Sequence, residues 1–264
     1  MYTANRKLFL IDKKIKMGIS QLAEIAGTIY GVNDMIFFRS SIDYENSNKL
    51  SEILKSADFQ DVETAYAAAF MRRSSLPEDG VKTAVVFLNE FICYCDKFAL
   101  PEELVSKNID NINQYLNQYL GRMASENQGK LPGGGLAYLT LQRPVIKYCR
   151  DHNIEILGNT YAKMLAKPLA LLADNSGLEF SEVYERVRAL APNQFYSLNQ
   201  VGIERSINTQ PSHTDVITMG LDISDGEIKN LMESGIYDDL NSAKSALTLL
   251  TQWVKDLLTI KQTV

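Results

Sequence analysis

Apolar positions recur at helical spacing along most of the chain. Ile15, Ile19, Leu22, Ala26 and Ile29 step by four, three, four and three residues, which lines them up on one side of a helix. The same spacing returns in Val81, Val85, Leu88, Ile92 and Cys95, in Val105, Ile109, Ile112, Leu116 and Tyr119, and in Ala243, Leu247, Leu250, Val254 and Leu257. Two stripes are less regular. Val62, Ala65, Tyr66, Ala69 and Phe70 form one that is small in its middle and suited to close packing. Tyr161, Leu165, Leu169 and Leu172 form the other, interrupted by Pro168. Strand signals are few: residues 7–11 and 34–39 are short apolar runs with polar flanks, able to pair as a small sheet. The pattern predicts a mainly α fold, a helical bundle with a small β-hairpin or sheet.

Three segments read as connections. Residues 40–48 are polar, residues 121–130 form a short hydrophilic connector, and residues 192–218 are long and dominated by Asn, Gln, Ser and Pro. A connection of that last length in a compact domain is functional or contains a hairpin.

Composition narrows the class. The 264 residues are 45% hydrophobic, enough for the core of one large domain or two small ones. With 15 Gly and 7 Pro, the chain is too poor in turn formers for a disordered or turn-rich all-β protein. A net charge of −5 argues against a nucleic-acid partner. No apolar run is long enough to span a membrane, and the N-terminus does not read as a signal peptide, so a cytoplasmic location is expected. Cys93 and Cys95 sit two apart on a predicted helix and do not face one another, Cys149 is distant, and His152 and His213 match no metal spacing. No nucleophile elbow, Walker loop or dinucleotide fingerprint is present.

Four segments carry candidate chemistry. In Pro77-Glu78-Asp79-Gly80-Val81-Lys82-Thr83-Ala84, Asp79 can cap the following helix or hold Mg²⁺, and Gly80 lets the backbone approach a ligand. The helix N-terminus there offers N–H groups to an anion, and Thr83 adds a hydroxyl. A plain capped helix explains the same residues. Pro132-Gly133-Gly134-Gly135 leads into an apolar helix as a close-approach turn or a hinge. Gly220-Leu221-Asp222 through Gly226-Glu227-Ile228 reads as a tight polar turn. Gly235-Ile236-Tyr237-Asp238 is expected to end one helix and precede the last.

In order, these motifs resemble the equatorial domain of the chaperonins, the GroEL-like and thermosome-like ring ATPases, over most of the chain. Leu8-Phe9 through Ile15-Lys16-Met17 to Leu22 resembles the family's first strand and helix. Tyr30-Gly31-Val32-Asn33 stands where the family has its Leu-Gly-Pro-Lys turn, and Asp79-Gly80-Val81-Lys82-Thr83 where it has an Asp-Gly-Thr-Thr-Thr phosphate loop. Leu100-Pro101-Glu102-Glu103-Leu104 opens a helix like the family's Asn-Pro-x-x-Leu, and Pro132-Gly133-Gly134-Gly135 matches its triple-glycine turn. Ala166-Lys167-Pro168-Leu169 with Asn175-Ser176-Gly177-Leu178 resembles its Ala-Pro-Leu and Asn-Ala-Gly-Leu. Gly220-Leu221-Asp222, Gly226-Glu227-Ile228, Gly235-Ile236-Tyr237-Asp238 and Ser245-Ala246-Leu247 complete the order.

The resemblance implies one equatorial-like domain over 1–264, its halves 1–120 and 131–264 joined by 121–130. It implies ATP or ADP with Mg²⁺ as ligand, Gly31, Asp79, Gly80, Thr83, Gly134, Asp222 and Asp238 as nucleotide contacts, and Asp79 as the metal ligand. The departures matter as much. The family inserts its intermediate and apical domains where this chain has only residues 121–130. The water-activating aspartate expected before the triple glycine has no counterpart in Ser125-Glu126-Asn127-Gln128-Gly129, and two phosphate-loop threonines are Val81 and Lys82. No catalytic residue is assigned. The expectation is an assembly or regulatory module that binds nucleotide with little or no hydrolysis. It would self-associate through the terminal strand and hairpin or dock on another protein. The alternatives are an active minimal ATP-dependent chaperone and a nucleotide-independent helical scaffold.

Overall fold

A computed structural model describes residues 8–9, 11–28, 62–72, 80–190 and 218–260. The mainly α architecture is as expected. The elements run α1 (Lys13–Thr28), α2 (Val62–Met71), α3 (Val81–Lys97), α4 (Glu102–Glu126), β1 (Lys130–Pro132), α5 (Leu136–Thr140), α6 (Gln142–Asp151), α7 (Glu155–Leu165), α8 (Lys167–Asn175), α9 (Phe180–Leu190), β2 (Met219–Asp222), β3 (Glu227–Asn230), β4 (Tyr237–Asp239) and α10 (Leu240–Ile260).

The predicted stripe of α3 is wholly buried, and so are Thr83, Ala84, Val86, Phe87 and Phe91 beside it. A helix apolar on nearly every side must be surrounded, and α3 packs against α1, α7, α8 and α10. Phe91 lies edge-on to Phe9 and Tyr161, with ring centroids 6.2 and 5.5 Å away. The described members of the stripes that begin at Ile15, Val105 and Ala243 are buried in α1, α4 and α10, except for Tyr119, which packs partly exposed against the same core. The stripe Tyr161, Leu165, Leu169 and Leu172 divides into α7 and α8 at Ala166, with Pro168 in the first turn of α8, where its missing N–H costs nothing.

α2 forms where expected but presents a different face. Tyr66 is 50% exposed and Ala69 is also exposed, whereas Ala67, Ala68, Phe70 and Met71 are buried. Gly18 of α1 explains the choice. A Cβ there would lie 2.0 Å from the Glu63 carbonyl oxygen and 2.8 Å from the Ala67 Cβ, so the two helices touch backbone to backbone. Only the alanine side of α2 permits that approach.

The segment 121–130 is not a loop. α4 continues to Glu126 and buries Met123 and Ala124. It closes through Asn127, Gln128 and Gly129, with Gly129 N–H donating to the Ala124 carbonyl at 2.7 Å in a Schellman-type cap. Lys130 already belongs to β1. The sheets also differ from expectation. β1 pairs antiparallel with β4 (Leu131 opposite Asp238), and β2 with β3 (Asp222 opposite Glu227). Leu8 bridges to Pro101, and Phe9 N–H donates to the Leu100 carbonyl at 2.8 Å. The other predicted strand, 34–39, the connection 40–48 and all of 192–218 except Thr218 lie outside the described residues. No helix precedes Gly235: β3 and a run of turns lead directly into β4.

A smaller core lies beside the large one. Leu136, Leu139, Leu169, Val183, Tyr184 and Val187 pack with Leu221 and Leu231 of the hairpin region. α8 spans both: its Asn175 amide donates to the Gly27 carbonyl at the end of α1, at 2.9 Å.

Candidate functional site

Of the seven predicted contacts, Gly80, Thr83, Gly134, Asp222 and Asp238 are described. Gly31 and Asp79, the expected metal ligand, lie outside the described residues, as does His213.

Gly80 is the N-cap of α3, at φ 86°, and its missing side chain leaves the cap to backbone alone. A Cβ would fall 2.5 Å from the Ser242 carbonyl oxygen and 2.9 Å from Ala246 N, so glycine is required to seat α3 on the first turns of α10. α3 carries no acidic residue in its first turn. Its first N–H groups have no intrahelical acceptor, and its dipole presents positive charge there. Thr83 is 8% exposed in that turn. The N-terminus of α10 is closed differently. Asp239 Oδ2 accepts from Ser242 N–H at 2.8 Å and from the Ser242 hydroxyl at 3.3 Å. The Asp-x-x-Ser spacing was the available signal for this cap.

The triple glycine is wedged among three elements. Gly133 N–H donates to the Ile236 carbonyl at 3.2 Å, just before β4. A Cβ on Gly134 (φ 62°) would lie 3.1 Å from the Leu221 carbonyl of β2, and one on Gly135 (φ 75°) 2.8 Å from Leu169 N of α8. The close approach foreseen for this turn is therefore made to the protein's own backbone. Gly134 alone of the three retains part of its surface; Gly133 and Gly135 are buried. These contacts hold the turn against three other elements.

Asp238 sits in β4 opposite Leu131. Strand alternation puts it on the inner face, with Tyr237 and Asp239 outside. Tyr237 is 49% exposed, and the Lys130 ammonium lies 3.7 Å from its ring centroid. One continuous path of contacts thus joins the candidates: Gly80 to the start of α10, through β4 with Asp238, across β1 to the triple glycine, and on to β2 with Asp222.

Asp222 is 6% exposed and fully engaged within the hairpin. Its Oδ1 accepts from Ser224 N–H at 2.9 Å and from the Ser224 hydroxyl at 2.6 Å, and its Oδ2 pairs with Lys229 Nζ at 2.9 Å. Burial pushes this carboxyl up, but the hydrogen bonds from Ser224 and Lys229 outweigh burial and hold it below the usual aspartate range. Lys229 also bonds Asp225, and these two acids raise its own value to about 12. The sequence reading missed Lys229; Asp-x-Ser followed by Asp-Gly was the signal of an Asx turn in a hairpin.

Among the described residues, no three His, Cys, Asp or Glu side chains gather closely enough to hold a metal. Cys93 is exposed while Cys95 and Cys149 are buried. His152 stacks on Tyr148 at 4.1 Å and contacts its carbonyl through Nδ1 at 2.7 Å.

Comparison with known proteins bears on the same elements. The chain is similar to the open-state monomer of a group II chaperonin from Methanococcoides burtonii, with 17% identity and a TM-score of 0.37 over 48% of this chain. It spans 27% of that protein's length. The model of the TCP-1/cpn60 chaperonin family matches residues 120–264. That span holds β1, the triple-glycine turn, the β2–β3 hairpin, β4 and α10, and it is more than half of the chain. The protein belongs to the TCP-1/cpn60 chaperonin family.

Proposed function

We propose that this chain acts as a chaperonin-type assembly or regulatory module that binds ATP or ADP with Mg²⁺ and hydrolyses it little or not at all. The observation that carries the reading is the join between α4 and β1. The resemblance calls for intermediate and apical domains at that point, and the chain crosses it in the three residues Asn127, Gln128 and Gly129. A module so joined has no client-binding domain between its halves.

Gly80 and the N-terminus of α3 would take the phosphates, with Thr83 in the same turn, and Gly134, Asp238 and Gly31 would be further nucleotide contacts. Asp79 would hold Mg²⁺, whose role is to neutralise phosphate charge. The segment expected to supply a water-activating carboxylate is the end of α4 and its capping turn. Without a base, an attacking water is not activated. The partner is a second copy or another protein, met through residues 7–11 and 34–39; the net charge of −5 disfavours nucleic acid. No described helix is long and apolar enough to cross a membrane.

Thermal unfolding with saturating MgATP or MgADP tests the reading. Ligand at about 100 times its Kd adds about 2.7 kcal/mol, which raises Tm by roughly 5 °C or more in a chain of this size. Asp79→Ala should remove that shift, and phosphate release should stay near background. An unchanged Tm at millimolar nucleotide would sink the proposal in favour of a nucleotide-independent scaffold. That second reading is favoured by the internal engagement of Asp222 and of the triple glycine.

A further inference from the structure

We propose that Asp222 and Lys229 form a clasp that positions the triple-glycine turn, and that Asp222 does not itself meet a ligand. As a statement about nucleotide, this rests on the proposed function above. The geometry of the clasp stands by itself.

A carboxylate as buried as that of Asp222 needs partners for both oxygens. Ser224 and Lys229 supply them from within the hairpin. Gly226 N–H closes the turn onto the Asp222 carbonyl at 2.9 Å. In the register, Lys229 lies opposite Gly220 and Asp222 opposite Glu227, so the Asp222–Lys229 pair ties the end of β2 diagonally to the middle of β3. Lys229 also holds Asp225, in the turn, and Arg186 of α9 reaches Glu227 at 3.7 Å from outside.

What the clasp fixes is the floor under the glycines. The Leu221 carbonyl lies 3.1 Å from where a Gly134 Cβ would stand. On the same strand, a Gly220 Cβ would meet Leu231 Cδ1 at 2.6 Å and Leu136 Cδ2 at 3.2 Å. A four-residue pairing has little register of its own, and a slip by one residue turns every side chain over. Such a slip would bring a side chain to the place that only Gly220 fits and would move the carbonyl behind Gly134. The Asp222–Lys229 pair holds the one register that keeps this floor flat.

Lys229→Gln gives the deciding sign. If Lys229 merely occupies a ligand-binding carboxylate, its removal frees Asp222 and MgADP binds more tightly. If the pair is a positioning clasp, its removal loosens the turn and MgADP binds more weakly. The experiment measures MgADP affinity and amide hydrogen exchange in the full chain for Lys229→Gln, Asp222→Asn, the double variant and Lys229→Arg. The exchange probes are Gly133 N–H, bonded to Ile236, and Leu136 N–H, bonded to Gly133, with amides around Ile112 of α4 as the remote reference that reports an intact fold.

The expected result is exchange about tenfold faster at Gly133 and Leu136 in both single variants, unchanged around Ile112, and no faster in the double variant. MgADP should weaken by a similar factor, and Lys229→Arg should behave close to the parent chain. Tighter MgADP binding in Lys229→Gln, or unchanged exchange at both amides, overturns the clasp. If the parent chain binds no MgADP, the proposed function fails, and the exchange measurements still decide the clasp.

Discussion

The larger core, around α3 and α10, and the smaller one, around the β2–β3 hairpin and the triple glycine, solve the same packing problem with different means. In the first, long helices bury stripes that recur every three or four residues, and the joints are apolar rings and small residues. In the second, strands of four residues and short helices are fixed by glycines set against backbone and by buried polar groups with every partner in place. The seam between them is polar too. Gln142 is fully buried; it donates to the Ala162 carbonyl at 2.6 Å and accepts from the Tyr184 hydroxyl at 2.9 Å. Tyr184 belongs to the smaller core and Ala162 to the larger. Long periodic helices supply stability, the smaller core supplies shape, and the candidate residues straddle the two, with Gly80 and Thr83 at the start of α3 and Gly134 beside the smaller core.

The largest effect should come from the larger core. Phe91→Ala removes a fully buried ring held edge-on by Phe9 and Tyr161, and truncations of this kind cost about 3–5 kcal/mol. Urea unfolding should show that loss across the whole chain. Leu231→Ala, in the smaller core, opens space beside Gly134 and Gly220, and its cost should fall near 2 kcal/mol, toward the low end of the range for such truncations. Equal losses for both would mean that the smaller core is packed as tightly as the larger, and the contrast between them would fall.

A smaller effect is expected at the seam. Tyr184→Phe leaves the buried Gln142 oxygen without its donor, at a cost of about 1–2 kcal/mol. Gln142→Leu removes both seam bonds, so the pair of substitutions should be clearly non-additive in a double-mutant cycle. Additivity would show that the seam does not couple the two cores.

The same contrast decides what could be read from the sequence. α3, α4 and α10 were legible because a stripe such as Val81, Val85, Leu88, Ile92 and Cys95 has only one way to be buried. α2 was legible as a helix but not in its facing, since Ala65, Ala67, Ala68 and Ala69 leave little to choose between sides and the choice belongs to Gly18 on another helix. Polar Arg122, Ser125 and Glu126 hid the end of α4, although Met123 and Ala124 carry its apolar face. β1 and β4 were illegible: three residues each, they pair across more than a hundred positions, and neither Lys130-Leu131-Pro132 nor Tyr237-Asp238-Asp239 alternates strongly. Gly80 and the triple glycine were legible as turns because glycine marks them. At Asp222 the sequence shows a carboxylate but not that Ser224 and Lys229 already hold it.

The smallest perturbation sharpens the comparison furthest, because it reads the cores without altering them. Cys95 and Cys149 are buried in the larger core, where burial holds both thiols protonated and raises Cys149 to about 12. Cys93 is on the surface of α3, and burial of its stem followed by the nearby Glu90 carboxylate raises it more gently. A thiol reagent at neutral pH should therefore modify one residue per native chain, Cys93, and reach the other two only through opening of the larger core. Because folding raises these pKa values above the ordinary 9.0, the stabilising contribution is whole below pH 9 and is lost as pH rises from there toward about 12. Phe91→Ala should speed modification of Cys95 and Cys149 by a factor set by its loss of stability, on the order of a hundredfold or more when opening equilibrates before reaction. Lys229→Gln should leave those two rates unchanged while it loosens the glycine turn. If instead loosening the hairpin exposes Cys95 and Cys149 equally, the glycine turn and the helical core open as one body. Ligand binding at the glycines would then be felt throughout the molecule.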